Sequence, residues 1–272
     1  MANVLLVVGV IALATGRPGA STATPSTPVA STPASTTRPS APATPAPTTP
    51  LTPTSTTLTS PATRPVSDLL TTSKDVTIAV LGDGTGDETG EWVSSFAQQL
   101  GATHRVSLRG LDPNDPTRYV VTKQFGAAGP QVTVWNGSRR NAPASYPAER
   151  LPFLTPEKPD VVLLSFGRDN TVSDITPQLE TTYRAVGSRW PDVPVAVVLQ
   201  AQERDDSSGP VRALVENWAA THALPTIDVA AAFSKAGDPN GFVSTVDPPS
   251  VNARGGTLWA RTVLTALGGS AP

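Results

Sequence analysis

Three segments of the chain carry acids beside glycine, serine or asparagine, the residue types from which many active sites are built. They are Gly82-Asp83-Gly84-Thr85-Gly86, Gly167-Arg168-Asp169-Asn170, and the run from Asp247 through Ser250 to Gly255. If these segments meet in the fold, the carboxylates of Asp83, Asp169 and Asp247 could hold a cation or cleave a glycoside. The competing interpretation is structural, because acids in loops often only orient those loops.

The glycine-rich turn 82–86 does not predict a phosphate site. Asp87 stands where the dinucleotide-binding pattern needs its third glycine, and no lysine follows as it would in a P-loop. The acids around the turn would repel an anion, and the spacing of a calcium loop fails at Thr85 and Glu88. The sequence therefore predicts neither a cofactor nor a bound metal ion.

Alternating strand and helix patterns are expected to bring the three segments together. Apolar, β-branched runs predict strands at 75–83, 105–111, 120–125, 132–135, 160–166, 193–199 and 226–229. Apolar stripes at helical spacing predict helices at 91–100, around 179–190, around 211–218 and at 255–267. This order indicates an α/β fold with a doubly wound, mostly parallel sheet. Ligands of such sheets bind outside the carboxyl ends of the strands, where the first two segments begin.

The three segments, with Gly137 after a further strand, resemble the sequence blocks of the SGNH/GDSL hydrolase family. The family's Gly-Asp-Ser stands here as Gly82-Asp83-Gly84, its second-block glycine as Gly137, its Gly-x-Asn-Asp as Gly167-Arg168-Asp169-Asn170, and its Asp-x-x-His as Asp247 to Ser250. The resemblance covers residues from about 75 to 267. It implies the flavodoxin-like fold of that family, with a five-stranded, mostly parallel sheet, and ester hydrolysis as the family activity.

Catalysis in that family requires a hydroxyl nucleophile, an imidazole base and an orienting carboxylate. By the resemblance, the nucleophile position is Gly84 and the base position is Ser250, so Asp247 alone is retained. Gly137 is expected to supply an oxyanion donor, and the oxyanion asparagine is displaced to Asn170. The side chains predicted to bind a ligand in the same cleft are those of Asp83, Arg168 and Asp169. Normal esterase activity is not expected.

No nearby residue replaces the missing base. Thr85 adjoins the nucleophile position, but without a base its hydroxyl stays protonated. His104 and His222 each precede a predicted strand, so both are expected at the opposite rim of the sheet as solvated or capping side chains.

These substitutions favour a catalytically impaired domain that binds a carbohydrate or an acylated small molecule in the former cleft. Arg139, Arg140 and Arg168 are expected to border the cleft and could grip an anionic or hydroxyl-rich ligand. Trp135 and Tyr146 could stack on a sugar ring. Two alternatives stay open: a residual or altered hydrolase of carbohydrate or lipid esters, and a purely structural surface domain.

The N-terminal part of the chain differs from the rest in composition. Residues 1–16 contain an uncharged apolar run, which predicts a signal peptide or an N-terminal anchor and, with it, a means of membrane association. Proline, serine, threonine and alanine make up 42 of the 50 residues 17–66. Residues 17–73 are therefore predicted as a disordered linker and residues 74–272 as the folded domain. This order predicts a secreted or envelope-anchored protein.

Charge and cysteine content exclude other classes of partner. The net charge is −2 and the basic residues are not clustered, so the sequence predicts no nucleic-acid binding. The chain contains no cysteine, which excludes disulfides and thiolate metal sites.

Overall fold

The computed structural model describes residues 65–112, 114–246 and 250–270. Predictions for the leader 1–16, for most of the linker 17–73 and for Asp247 lie outside these residues. The strands are β1 (Val76–Gly82), β2 (Arg105–Leu111), β3 (Tyr119–Phe125), β4 (Gln131–Asn136), β5 (Val161–Ser165), β6 (Val195–Leu199) and β7 (Thr226–Asp228). The α-helices are α1 (Trp92–Leu100), α2 (Leu151–Leu154), α3 (Ile175–Arg189), α4 (Gly209–Thr221), α5 (Val229–Ala236) and α6 (Ala253–Ala266).

The strands form one mostly parallel sheet in the order β3-β2-β4-β1-β5-β6-β7. β1 lies in the middle and pairs in parallel with β4 on one side and with β5 on the other. The chain builds the β4 side first and then crosses to the β5 side, so the direction of winding changes at β1. The α/β, doubly wound architecture predicted from the sequence is confirmed.

The sheet has seven strands, and the expectation of five is wrong. Each of the seven segments has its own strand pattern in the sequence, but the number five came from the family resemblance. The additional strands lie at the edges of the sheet. β3 folds back antiparallel on β2, with a register shift between Leu108 and Arg109, and β7 adds a three-residue strand beside β6.

Helices cover both faces of the sheet, each over its own apolar cluster. Side chains of α1, α5 and α6 pack against Ile78 and Val80 of β1 on one face. Those of α3 and α4 pack against Ala79 and Leu81 on the other. This alternation follows from the two-residue period of a strand that is buried on both sides. Among the described helices, none is long and apolar enough to cross a membrane.

The folded part begins before residue 74, so the predicted end of the linker is placed too late. Val66–Thr71 forms a 3-10 helix whose Val66 and Leu70 are buried in the core cluster of α1 and α6. The N–H of Leu70 also donates to the carbonyl oxygen of Leu267 at 2.9 Å. The segment was not recognised from the sequence because Pro65 and two threonines continue the composition of the proline- and threonine-rich linker.

Replacing Leu70 by alanine tests whether this segment is part of the folded unit. We expect Leu70→Ala to lower the free energy of unfolding by about 2–4 kcal/mol, because it leaves a cavity in the core. The matched control Leu69→Ala changes a half-buried neighbour and should cost clearly less. Urea denaturation of the full chain measures both. Equal, small effects would show that the segment does not contribute to the core.

Candidate functional site

The predicted segments come together at the carboxyl end of β1, where the winding of the sheet changes direction. Residues 83–86 follow β1, residues 137–141 follow β4, and residues 167–170 follow β5. Because these strands are neighbours in the sheet, their following loops meet at one edge. The loop after β6 adds Gln200, which the sequence analysis did not single out.

Asp83 is the centre of this edge. Its side chain is fully buried, and the N–H groups of Gly167 and Arg168 both donate to its Oδ2 at 3.0 Å. Thr85 donates to Oδ1 through its N–H at 3.1 Å and its hydroxyl at 2.9 Å. The amide of Gln200 reaches both oxygens, at 2.9 and 3.0 Å. Burial raises the pKa of Asp83, and the bonds from Gln200 and Thr85 oppose that rise.

The structure therefore favours the structural interpretation of Asp83 over a cation or glycosidase site. Both of its oxygens already accept hydrogen bonds, and solvent does not reach it. In the described part of the chain, no three His, Cys, Asp or Glu side chains are grouped so that they could hold a metal ion. Gln200 was missed because a single uncharged glutamine after a strand carries no recognisable pattern.

Asp169 accepts hydrogen bonds from two loops at once. Its Oδ2 lies 3.3 Å from the backbone nitrogen of Gly84 and 2.9 Å from that of Asn141. Asn141 has φ +58, in the left-handed region that a non-glycine residue seldom occupies. Two backbone N–H groups thus converge on one carboxylate oxygen beside the nucleophile position.

Two predicted oxyanion donors are engaged elsewhere, and both assignments are corrected. The N–H of Gly137 donates to the carbonyl oxygen of Val80 at 2.8 Å, which continues the β1–β4 pairing. The side-chain amide of Asn170 donates to Asp174 at 2.8 Å and to Gln178 at 2.9 Å, so it ties the loop to α3. The backbone donor that shares an acceptor with Gly84 is that of Asn141. The left-handed backbone conformation of Asn141 is what directs its N–H toward Asp169, and the sequence does not reveal that conformation.

Arg168 bridges the positions that the resemblance assigns to nucleophile and base. Its Nη1 donates to the carbonyl oxygen of Gly84 at 2.9 Å, and its Nη2 donates to the hydroxyl of Ser250 at 3.2 Å. Gly84 is also closely packed, since a Cβ added there would lie 3.0 Å from the Cα of Arg140. Because a backbone atom is the obstacle, a side chain at this position requires Arg140 to move by a few tenths of an ångström.

The other residues predicted to border the cleft divide into two groups. Trp135 packs edge-on against Tyr119, with ring centroids 4.8 Å apart, and Arg140 pairs with Glu88 at 2.7 Å. Tyr146 is half-buried and has the guanidinium of the exposed Arg139 over its ring at 5.7 Å. Arg150 lies over the same ring at 4.7 Å. Of the predicted aromatic residues, Tyr146 is therefore the one that stands beside exposed cations.

Comparison with known proteins identifies the fold. No protein-family model matches the chain, and no curated protein matches it. A lipase/acylhydrolase from Enterococcus faecalis is similar in structure, with 18% identity, coverage of 70% of this chain and 93% of the other, and a TM-score of 0.52. A protein from Parabacteroides merdae described as a GDSL-like lipase has 16% identity, coverage of 72% and 97%, and a TM-score of 0.51. A two-domain esterase active on acetylated mannans has 14% identity, coverage of 74% and 51%, and a TM-score of 0.53.

The chain has the SGNH/GDSL hydrolase fold. Within this fold, neither histidine lies near Gly84 or Ser250. His104 directly precedes β2 and is buried beside Thr103, so it is not solvated. His222 is the C-cap residue of α4, and its Nδ1 lies 2.9 Å from the carbonyl oxygen of Trp218, which fits the capping role predicted for it.

Glu91, which precedes α1, is the second acid of this SGNH-fold domain whose pKa is strongly shifted. Burial raises its pKa to about 7; the N–H of Glu88 lowers it, and the charge of Asp87 raises it further. Its Oε2 accepts that N–H at 2.8 Å. A folded-state pKa above the unfolded value means that the folded state loses stability as the pH rises from about 4.5 to about 7.

Replacing Glu91 by glutamine tests this pH dependence. The amide cannot ionise, so we expect Glu91→Gln to be more stable than the wild type by roughly 1–2 kcal/mol at pH 8, with the difference vanishing near pH 4. Urea denaturation at both pH values measures it. The control Glu149→Gln changes an exposed glutamate and should stay within about 0.5 kcal/mol of the wild type at both. A difference that does not vary with pH would contradict the burial of the charge.

Proposed function

We propose that this chain is an exported SGNH-fold domain that does not carry out normal ester hydrolysis and that binds a carbohydrate or an acylated ligand of the cell envelope. The observation that carries the proposal is the closed surrounding of Gly84. This position has no side chain to act as a nucleophile, and the Cα of Arg140 lies only 3.0 Å from where a Cβ would stand. The fold is that of a hydrolase, while the reacting groups are absent from the matched positions.

The contacts around Gly84 support impaired catalysis in two further ways. Its N–H donates to Asp169, so this donor is not directed at a substrate oxyanion. The guanidinium of Arg168 donates to the carbonyl oxygen of Gly84 and to the hydroxyl of Ser250. Ser250 stands at the position where family members have the imidazole. Loss of triad residues lowers the rate by about 10⁶. An open oxyanion hole alone can still keep the rate about 10³-fold above that of the uncatalysed reaction. With the donor occupied, even that remainder is not expected.

Tyr146 and its two arginines support binding as the remaining role. Exposed guanidinium groups that lie over an aromatic ring can bind the anionic or hydroxyl groups of a ligand. Arg139 is exposed and lies two residues after Gly137 in the 137–141 loop. The similar esterase that is active on acetylated mannans makes an acetylated mannan a reasonable first probe.

Export is supported by the sequence alone. The apolar run in residues 1–16 precedes a tract rich in proline, serine and threonine, which is the order expected of a leader followed by a spacer. A domain held at the end of such a spacer suits a role at the cell envelope.

An altered hydrolase is the second candidate, and the pair Thr85 and Asp83 favours it. The Thr85 hydroxyl lies 2.9 Å from a carboxylate whose pKa is raised by burial, which is the pairing of a nucleophile with a base. However, the same hydroxyl also accepts a hydrogen bond from Gln200 at 3.2 Å, and both side chains are buried.

Hydrolysis of p-nitrophenyl acetate by the full chain separates the two candidates. We expect kcat/KM to be at least about 10⁵-fold below that of a serine esterase, and to be the same in Thr85→Val. The control Thr89→Val changes an exposed threonine. Turnover that is lost in Thr85→Val but kept in Thr89→Val would establish the altered hydrolase and overturn the binding proposal.

Calorimetric titration with soluble acetylated mannan tests the binding role. We expect saturable binding that weakens at least about fivefold in Tyr146→Ala, because the ring holds the guanidinium groups of Arg139 and Arg150 in place. The control Arg184→Ala removes an exposed cation on α3 and should bind as the wild type does. Absence of binding, or equal binding by both variants, would count against a ligand at Tyr146.

A further inference from the structure

One face of the sheet at β2 and β4 carries polar side chains and is half-exposed. Along β4, Gln131, Thr133 and Trp135 are half-exposed, whereas the residues between them are buried. Arg109 is the neighbour of Trp135 on β2, and its guanidinium lies over the indole ring at 5.9 Å. The Nε of Arg109 is enclosed, yet it has no acceptor among the described residues. This face therefore presents a cation that the described part of the chain does not neutralise.

Tyr119 connects this arginine–tryptophan pair to the loop that precedes α2. Its ring packs edge-on against Trp135, and its hydroxyl donates to the carbonyl oxygen of Leu154 at 2.8 Å. The N–H of Leu154 in turn donates to the carbonyl oxygen of Arg150 at 2.9 Å. Burial raises the pKa of Tyr119, and the nearby hydroxyl of Tyr146 raises it further. The pair on the sheet and the cations around Tyr146 are therefore parts of one surface.

Arginine and aromatic side chains alternate along this surface. We refer to them together as the arginine row, which consists of Arg109, Trp135, Tyr119, Tyr146, Arg139 and Arg150. Within the described ranges, none of its three arginines forms an ion pair with a carboxylate. Each guanidinium instead lies over an aromatic ring of the row.

The acids closest to the row in the sequence do not neutralise it. Asp112 and Asp115, just after β2, both pair with Arg118, at 3.0 and 3.4 Å. Glu149 is exposed beside Arg150 and has no ion pair among the described residues. The cations of the row are thus available to an anionic ligand.

We propose that the arginine row binds an acidic polysaccharide, in which sugar units carry carboxylates. This inference rests on the carbohydrate binding proposed above and specifies the kind of carbohydrate. A guanidinium binds a carboxylate through two parallel hydrogen bonds, and a ring beneath it favours one orientation of its plane. The half-exposed amide of Gln131 and hydroxyl of Thr133 lie on the same face of β4 and can bond to sugar hydroxyls.

The arrangement of the rings favours a polysaccharide over a nucleic acid. Single-stranded nucleic acids are bound largely by stacking of bases on free aromatic faces. Here two guanidinium groups lie over the ring of Tyr146, and one lies over that of Trp135. The chain as a whole has a net charge of −2, whereas nucleic-acid-binding domains are typically basic.

Calorimetric titration of the full chain with polygalacturonate tests the inference. We expect saturable binding at about 50 mM sodium chloride that weakens at least about tenfold at about 300 mM, because salt screens exposed charges. Arg109→Gln should weaken binding at least about fivefold, because it removes one guanidinium of the row. Fully methyl-esterified polygalacturonate has the same sugar backbone without the charges and should bind at least about tenfold more weakly.

Arg189→Gln is the matched control. It also removes a guanidinium that lies over a tryptophan ring, that of Trp190 at 4.9 Å, but at the end of α3. This variant should bind polygalacturonate as the wild type does. If Arg109→Gln does not fold, the exposed Arg150→Gln provides the same comparison within the row.

The outcomes separate this inference from the proposed function. Binding of acetylated mannan without binding of polygalacturonate would overturn the inference and leave the proposed function standing. Binding of neither polymer would overturn the inference and count against the proposed function as well. Equal affinity of the row variant and Arg189→Gln, or of the charged and esterified polymers, would overturn the inference alone. Tighter binding of polyphosphate or single-stranded DNA than of polygalacturonate would show that the row selects phosphate, and would overturn it too.

Discussion

The fully buried carboxylate of Asp83 is the interaction on which the rest of the site depends. A charge cannot remain buried in this way unless several donors replace water, and here the donors come from the loops after β1, β5 and β6. Each loop is therefore held in the one conformation that directs its donor inward. Because Gln200 and Gly167 bind the same carboxylate, the carboxyl end of the sheet behaves as a single unit.

The hydrogen bonds to Asp83 also explain why the residues around Gly84 contact one another. With the 167–170 loop fixed by Asp83, Asp169 accepts a hydrogen bond from the N–H of Gly84 and Arg168 donates one to its carbonyl oxygen. The fold is that of the hydrolases, and the groups around Gly84 bind one another through packing and hydrogen bonds.

The sequence predicted the fold and the meeting of the glycine- and acid-bearing loops well, and the hydrogen-bond partners of individual residues less well. Strand and helix patterns depend on local apolar spacing, so all seven strands were recognisable, and block order placed Asp83, Gly84 and Asp169 together. Donor assignments failed at Gly137 and Asn170 because the direction of a single N–H or amide depends on backbone dihedrals and long-range partners. Gln200 could not be found from sequence, since its partner Asp83 lies far away along the chain.

The two edge strands of the sheet determine how readily copies of the domain can pair at high concentration. An exposed strand edge offers unpaired backbone groups to other chains, and long, flat edges promote aggregation. Here one edge is β3, which folds back on a strand with an irregular register, and the other is β7, with only three residues. Both leave little regular backbone for another copy to extend. Neither edge therefore favours pairing with the sheet of another copy.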